Sequence, residues 1–346
     1  MTMLKVGVVG TGGIFKWAHL PGWLSVKEAE IVAFCDAFPG AAEAVAKDYP
    51  GTKAYTDYRE MIADPSIDII GISTPNLFHS EIAIAALRQG KHVFCEKPDA
   101  VNPVEAQKMA DAARETGKVL MTMRNNRFSS EAQFVKRLAE QGKLGDLYMG
   151  RCGWIRRRGI PGRGGWFTTK ELSGGGPLID LGVHMIDLAM WIGGNPKPVT
   201  VSGSTYRKFA DRPDASGNVP AGTFDVEDLA AGFIRFDNGA SLQIEFSWAS
   251  NVAAEQKFLE WRGTEGGFSL INDKLNLFTE TDGVLLDQQP HLETAQLPQH
   301  TANIRHFVEV VLGREQPIIT PDQGVDMIKI LSAIYESAEL GREVRL

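Results

Sequence analysis

The first third of the chain alternates short β-branched runs with amphipathic stretches, and that alternation restricts the fold more than any other feature of the sequence. Apolar runs at residues 4–9, 31–35, 53–55, 67–72, 92–95 and 119–123 are separated by stretches at 40–48, 57–63, 80–89 and 103–116. In those stretches Ala, Glu, Lys and Leu recur at helical spacing. The runs are apolar throughout, so the sheet they form needs helices on both faces. The expectation is an α/β chain whose residues 1–124 make a doubly wound parallel sheet. Residues 125–346 then make a second α/β domain. There, 147–155 has strand character, while 229–236 and 241–248 alternate apolar with polar residues, the mark of an open, mainly antiparallel sheet with one wet face. Helices are expected at 130–141, 302–312 and 322–340, and 196–198 and 212–220 read as loops inside the second domain.

The 346 residues suffice for about two domains of roughly 150 residues each. A net charge of −7 argues against nucleic acid as a partner. Membrane insertion is not expected either, because the most apolar segment, 178–193, is broken by Asp180, His184 and Asp187. The chain enters its first strand without a charged leader or cleavage pattern, and Cys35, Cys95 and Cys152 form no C-x-x-C pair. A reducing cytoplasm is the expected setting.

The first run ends in Gly10-Thr11-Gly12-Gly13-Ile14-Phe15. Gly10 and Gly12 fill the first two positions of G-x-G-x-x-G, which turns the chain sharply and brings its backbone close to a pyrophosphate at a helix N-terminus. Phe15 takes the third position, where a small residue lets helix and strand pack closely. This helix must therefore stand off or turn the ring away. Asp36 ends the second run, about 20 residues beyond the fingerprint. A carboxylate there accepts from ribose hydroxyls and repels a 2′-phosphate, which favours NAD over NADP. Asp36 read as a plain turn residue before Pro39 is the alternative.

Open parallel sheets bind ligands beyond the carboxyl ends of their strands. Those ends carry Thr74 and Asn76 with His79 following, and Glu96-Lys97-Pro98. A lysine held there on a stiff backbone can polarise a reacting hydroxyl and help take its proton. A surface lysine on a turn, and a histidine that merely starts a helix, are the bland alternatives. The third motif runs from Gly174-Gly175-Gly176-Pro177 through Asp180 and His184 to Asp187 in a helix reaching about 192. Asp180 and His184, four apart, share a face. Buried charge in an apolar helix needs a reason. No ligand set nearby completes a metal site, so none is expected. An acid–base pair fits better, with His184 exchanging a proton at neutral pH. A satisfied core cluster stays open as an alternative, above all for Asp187.

Together, Gly10 to Ile14, Glu96-Lys97-Pro98 and the 174–187 segment resemble the Gfo/Idh/MocA family, the glucose-fructose oxidoreductase and inositol dehydrogenase relatives, in order and spacing along nearly the whole chain. The resemblance implies a Rossmann domain, a second domain with a large open sheet, a nicotinamide cofactor, and catalytic roles for Lys97, Asp180 and His184. It implies NAD-dependent oxidation of a secondary or anomeric hydroxyl of a sugar or cyclitol without a metal. It further implies a homodimer or homotetramer. Cofactor contacts are expected from Gly10, Thr11, Gly12, Gly13, Ile14, Asp36, Thr74, Asn76, His79, Glu96, Lys97 and Trp166, and substrate contacts from Lys97, Arg127, Trp166, Asp180 and His184.

Arg151, Arg156, Arg157, Arg158 and Arg163 crowd the approach to the third motif. An arginine pair there would suit an anionic sugar, although alternate arginines on a strand point to opposite faces and at least half should meet solvent or a subunit. Two rival functions compete with the dehydrogenase. One is a glycoside hydrolase that keeps NAD bound and oxidises C3 transiently. The other is a nicotinamide-sensing regulator, which has no need for Lys97, Asp180 and His184 together.

Overall fold

A computed structural model describes residues 3–213, 221–293 and 295–346. Most of the loop expected at 212–220 lies outside these. The apolar runs of the first third form six parallel strands: β1 Leu4–Val9, β2 Ala29–Cys35, β3 Lys53–Tyr55, β4 Ile69–Ile72, β5 His92–Cys95 and β6 Leu120–Thr122, in the order β3-β2-β1-β4-β5-β6. The order reverses at β1/β4, where crossovers leave on opposite faces and a crevice opens beyond the strand ends.

The chain divides into two compact units. The first ends at Phe128 and regains Gln296–Val325. Its core therefore includes Ile304, Phe307 and Val308 from the helix Gln299–Val311, packed with Trp23 and Phe94. Phe307 lies 5.2 Å from the Phe94 ring and 6.2 Å from Trp23. Aromatic pairs at such separations contribute about 0.5–1.5 kcal/mol beyond the area they bury. An amphipathic helix carries no mark of which core it joins, which is why residues 299–311 read by sequence as part of the second domain.

The second unit, Ser129–Ala295 with Asp326–Leu346, holds a nine-stranded sheet. Its strands are β7 Leu147–Ile155, β8 Pro198–Tyr206, β9 Leu229–Phe236, β10 Ser241–Ser247, β11 Gln256–Gly263, β12 Gly266–Ile271, β13 Lys274–Thr281, β14 Val284–Gln288 and β15 Val344–Arg345, ordered β14-β13-β12-β11-β7-β10-β9-β8-β15. Every pairing is antiparallel except β7 with β10. One face carries the helical segment 178–192, to which Trp261 Nε1 donates at the Ala189 carbonyl, 3.2 Å away. Residues of the opposite register, Arg151, Gln243 and Arg262, are exposed, and Arg151 is paired with Glu260.

All three cysteines are buried and unpaired, and burial, with help from Asp36, pushes the Cys35 thiol up to about 12. Among the described residues no helix is long and apolar enough to cross a membrane.

Candidate active site

In the first unit the glycine turn is built by a close approach. Gly10 has φ +91°, and a Cβ there would lie 2.5 Å from the Ser73 carbonyl oxygen at the end of β4, so only glycine fits. Over Gly12 and Gly13 the space is open: an added Cβ meets nothing within 4 Å. The helix that follows is widened to a π turn over Phe15–His19. Phe15 is fully buried with its ring edge-on to Phe34 of β2, 5.9 Å away. The departure from the fingerprint is thus absorbed by the ring entering the core.

Asp36 closes the turn from the other side. Its Oδ2 accepts from Thr11 N (2.9 Å) and Thr11 Oγ1 (2.8 Å), and its Oδ1 from Phe38 N (3.1 Å). Free space above two glycines, a helix N-terminus and a fixed carboxylate at the end of β2 fit the pyrophosphate and ribose hydroxyls of NAD. Ser73 Oγ and Thr74 Oγ1 at the end of β4, and Asn125 Oδ1 and Asn126 Nδ2 after β6, are buried without a hydrogen-bond partner. Orphaned groups gathered at one edge of the sheet are the chemistry a polar ligand satisfies.

Glu96 and His79 brace the same edge. Burial alone would raise the Glu96 carboxyl, but His19, whose Nε2 donates at 2.6 Å, holds it well below the usual carboxylate range, with Lys97 and His300 adding to the effect. Its other oxygen accepts from Lys97 N at 3.0 Å, which fixes the backbone that carries the lysine. Lys97 itself is half-buried. His79 is fully buried, its ring nitrogens 2.8 and 2.9 Å from the carbonyl oxygens of Pro98 and Thr74, and burial pushes its pKa down. It ties the β4 and β5 ends together. Asn76 is buried beside it in the short turn Asn76–Phe78. Arg127 is buried with Nη1 donating to the Ile318 carbonyl (2.5 Å) and Gln323 Oε1 (3.0 Å), so this side chain binds the returning segment.

In the second unit, residues 175–192 are buried except Asp180 and His184. Asp187 is only 4 % exposed and packs inward. The polar stripe therefore resolves into two outward groups and one core acid. Asp180 Oδ2 accepts from Trp248 Nε1 at 2.9 Å, and His184 lies 6.3 Å, ring to ring, from Trp154. The start of the segment is bolted by Glu227. Its Oε2 accepts from Gly176 N (2.9 Å), and its Oε1 from Leu178 N (3.1 Å) and Tyr335 OH (2.8 Å). A Cβ on Gly176 would lie 2.0 Å from the Glu227 carbonyl oxygen, and one on Gly175 2.0 Å from Tyr335 OH, so this clamp needs the glycine run. Burial raises the pKa of Glu227 against the pull of those donors.

Trp166 is half-buried and stacked on Phe167, with centroids 3.8 Å apart. Most of the arginines serve their own unit. Arg151 pairs with Glu260, Arg158 donates to the Ser250 carbonyl and Asn251, Arg163 caps carbonyls at 209–212, and Arg156 lies over the Trp154 ring. Trp248, Glu227, Tyr335 and His19 escaped the sequence reading. Two adjacent acids, Glu227 and Asp228, directly before an apolar strand were the one local signal.

Residues 4–123 match the family described as "Oxidoreductase family, NAD-binding Rossmann fold", and residues 132–269 match the "GFO/IDH/MocA C-terminal domain". A D-glucoside 3-dehydrogenase of Escherichia coli (strain K12) is 34% identical over 99% of this chain and 97% of its own length. A levoglucosan dehydrogenase of Pseudarthrobacter phenanthrenivorans is 32% identical over 77% of this chain and 73% of its own. A solved structure of levoglucosan dehydrogenase in complex with NADH and L-sorbose superposes with a TM-score of 0.87 at 26% identity, covering 100% of this chain and 99% of that one.

Proposed function

The chain belongs to the Gfo/Idh/MocA oxidoreductase family, and we propose that it is an NAD-dependent dehydrogenase that oxidises a secondary or anomeric hydroxyl of a sugar. One observation carries the site assignment: in an otherwise buried segment, Asp180 and His184 alone keep partial exposure. Relatives named for D-glucosides and levoglucosan support the substrate class.

NAD, held by the Gly10–Ile14 turn and Asp36, supplies the hydride acceptor. His184 takes the hydroxyl proton, its imidazole being suited to exchange at neutral pH. Asp180, as a carboxylate, orients the imidazole and the hydroxyl. The role proposed for Lys97 is to donate to a reacting oxygen and favour its developing negative charge. The exposed register of the nine-stranded sheet is the surface assigned to a second copy of the chain, in a homodimer or homotetramer. Unpaired buried thiols support a reducing cytoplasm.

The test is NADH formation with a panel of glucosides, anhydrosugars, aldoses and inositols, NADP run in parallel. Turnover of a sugar with NAD is expected. Glycoside cleavage without net NADH, or no reaction across the panel, overturns the reading.

A further inference from the structure

The second unit holds its acid by a device that neither the motif nor the family match assigns. Trp248 follows β10 directly, and its side chain is fully buried. Its amide donates to the Asp228 carbonyl at 3.0 Å, which fixes the backbone from which the indole projects. The neighbouring Glu227 side chain binds the amides of Gly176 and Leu178, and Asp180 N in turn donates to the Gly176 carbonyl at 2.9 Å. One dipeptide, Glu227-Asp228, therefore places both the backbone of Asp180 and the indole that meets its carboxylate.

We propose that Trp248 is a positioning residue for the dehydrogenase reaction, its indole N–H aiming the Asp180 carboxylate and keeping it ionised. The claim rests on the catalytic role given to Asp180 above. An indole N–H donates only and cannot accept, so it pairs with an oxygen lone pair and never competes for a proton. A donor to the charged form of a carboxylate lowers its pKa. The contact thus fixes the side-chain rotation of Asp180 and widens the pH range over which it is charged. A buried donor of this kind has no water to turn to, so it holds one orientation.

Trp248→Phe keeps a ring in the core and removes the donor. Single-turnover hydride transfer is expected to slow about tenfold with NADH affinity unchanged, and the acid limb of kcat/KM is expected to move to higher pH. In an Asp180→Asn background the same change is expected to add no further loss. An unchanged pH profile and rate in Trp248→Phe overturn the proposal. A second readout needs no substrate. Of the seven indole N–H signals in a nitrogen-labelled sample, the one lost in Trp248→Phe should move in Asp180→Asn and titrate with acid. Should Trp248→Phe fail to fold, Asp180→Asn decides alone, since one indole signal must shift strongly. No shift overturns the contact. A shift in an enzyme that oxidises no sugar keeps the contact and overturns only the proposed function.

Discussion

The carboxyl edge of the parallel sheet and the 178–192 segment of the second unit each present candidate catalytic groups, and they hold them in opposite ways. In the first unit the holding is done at the strand ends, by main-chain groups and the Glu96 carboxylate that follows β5. Lys97 follows a buried strand, its amide is bound by Glu96, and His79 meets two carbonyl oxygens. In the second unit it is done by side chains far off in sequence: Trp248 on Asp180, and Glu227 with Tyr335 at the segment's start. A strand end positions whatever residue stands there. A helix face surrounded by core must have its polar groups aimed individually, because unpaired buried polarity is costly.

The comparison breaks first on the chemistry. Lys97→Ala and His184→Ala should each slow single-turnover hydride transfer by about 100-fold or more, and in His184→Ala NADH titration should show unchanged binding. Loss in one variant only would mean that a single edge carries the reaction. Next, Glu227→Ala leaves two buried amides and a phenol unsatisfied, and urea denaturation should register a loss of roughly 2 kcal/mol. A negligible loss would show that the side-chain clamp is dispensable.

Much of the strand-end half was legible in the sequence, His19 apart, and little of the helix-face half was. The β1 turn, Asp36 and Lys97 are adjacent to strands whose apolar runs announce themselves, so order along the chain gives position in space. Asp180 and His184 were visible as polar residues in an apolar helix. What aims them was not: Trp248 is 68 residues from Asp180 and Tyr335 is 108 from Glu227, and such pairings are created only by sheet register and chain return. Arg127 illustrates the same limit. It stands where a ligand contact would suit, yet its guanidinium meets the main chain of a segment 191 residues away.

Two smaller effects sharpen the first half. Asp36→Ala should weaken NAD binding about tenfold and narrow the preference over NADP, as read by titrating both reduced cofactors, because the ribose acceptor and the repulsion of a 2′-phosphate go together. His19→Ala should cost about 1 kcal/mol near neutral pH. Glu96 has its pKa lowered from 4.5 to about 2 in the fold. Its contribution is therefore full above 4.5 and fades as pH falls toward about 2. Without His19, burial raises that pKa, so the stability gap between wild type and variant should close in acid. A gap that stays constant across this range would rule out the His19–Glu96 contact as its origin.

The return of residues 296–325 to the first unit bears on how the protein is made. A ribosome delivers β1 to β6 early, but Ile304, Phe307 and Val308 emerge only after the whole of residues 129–295 has been synthesised. Until then Trp23 and Phe94 lack their lid. Domains made in sequence ordinarily fold as they appear. Here the core of the first unit is completed only by the returning segment, and an expression boundary drawn after residue 128 would yield a fragment with an unfinished interior.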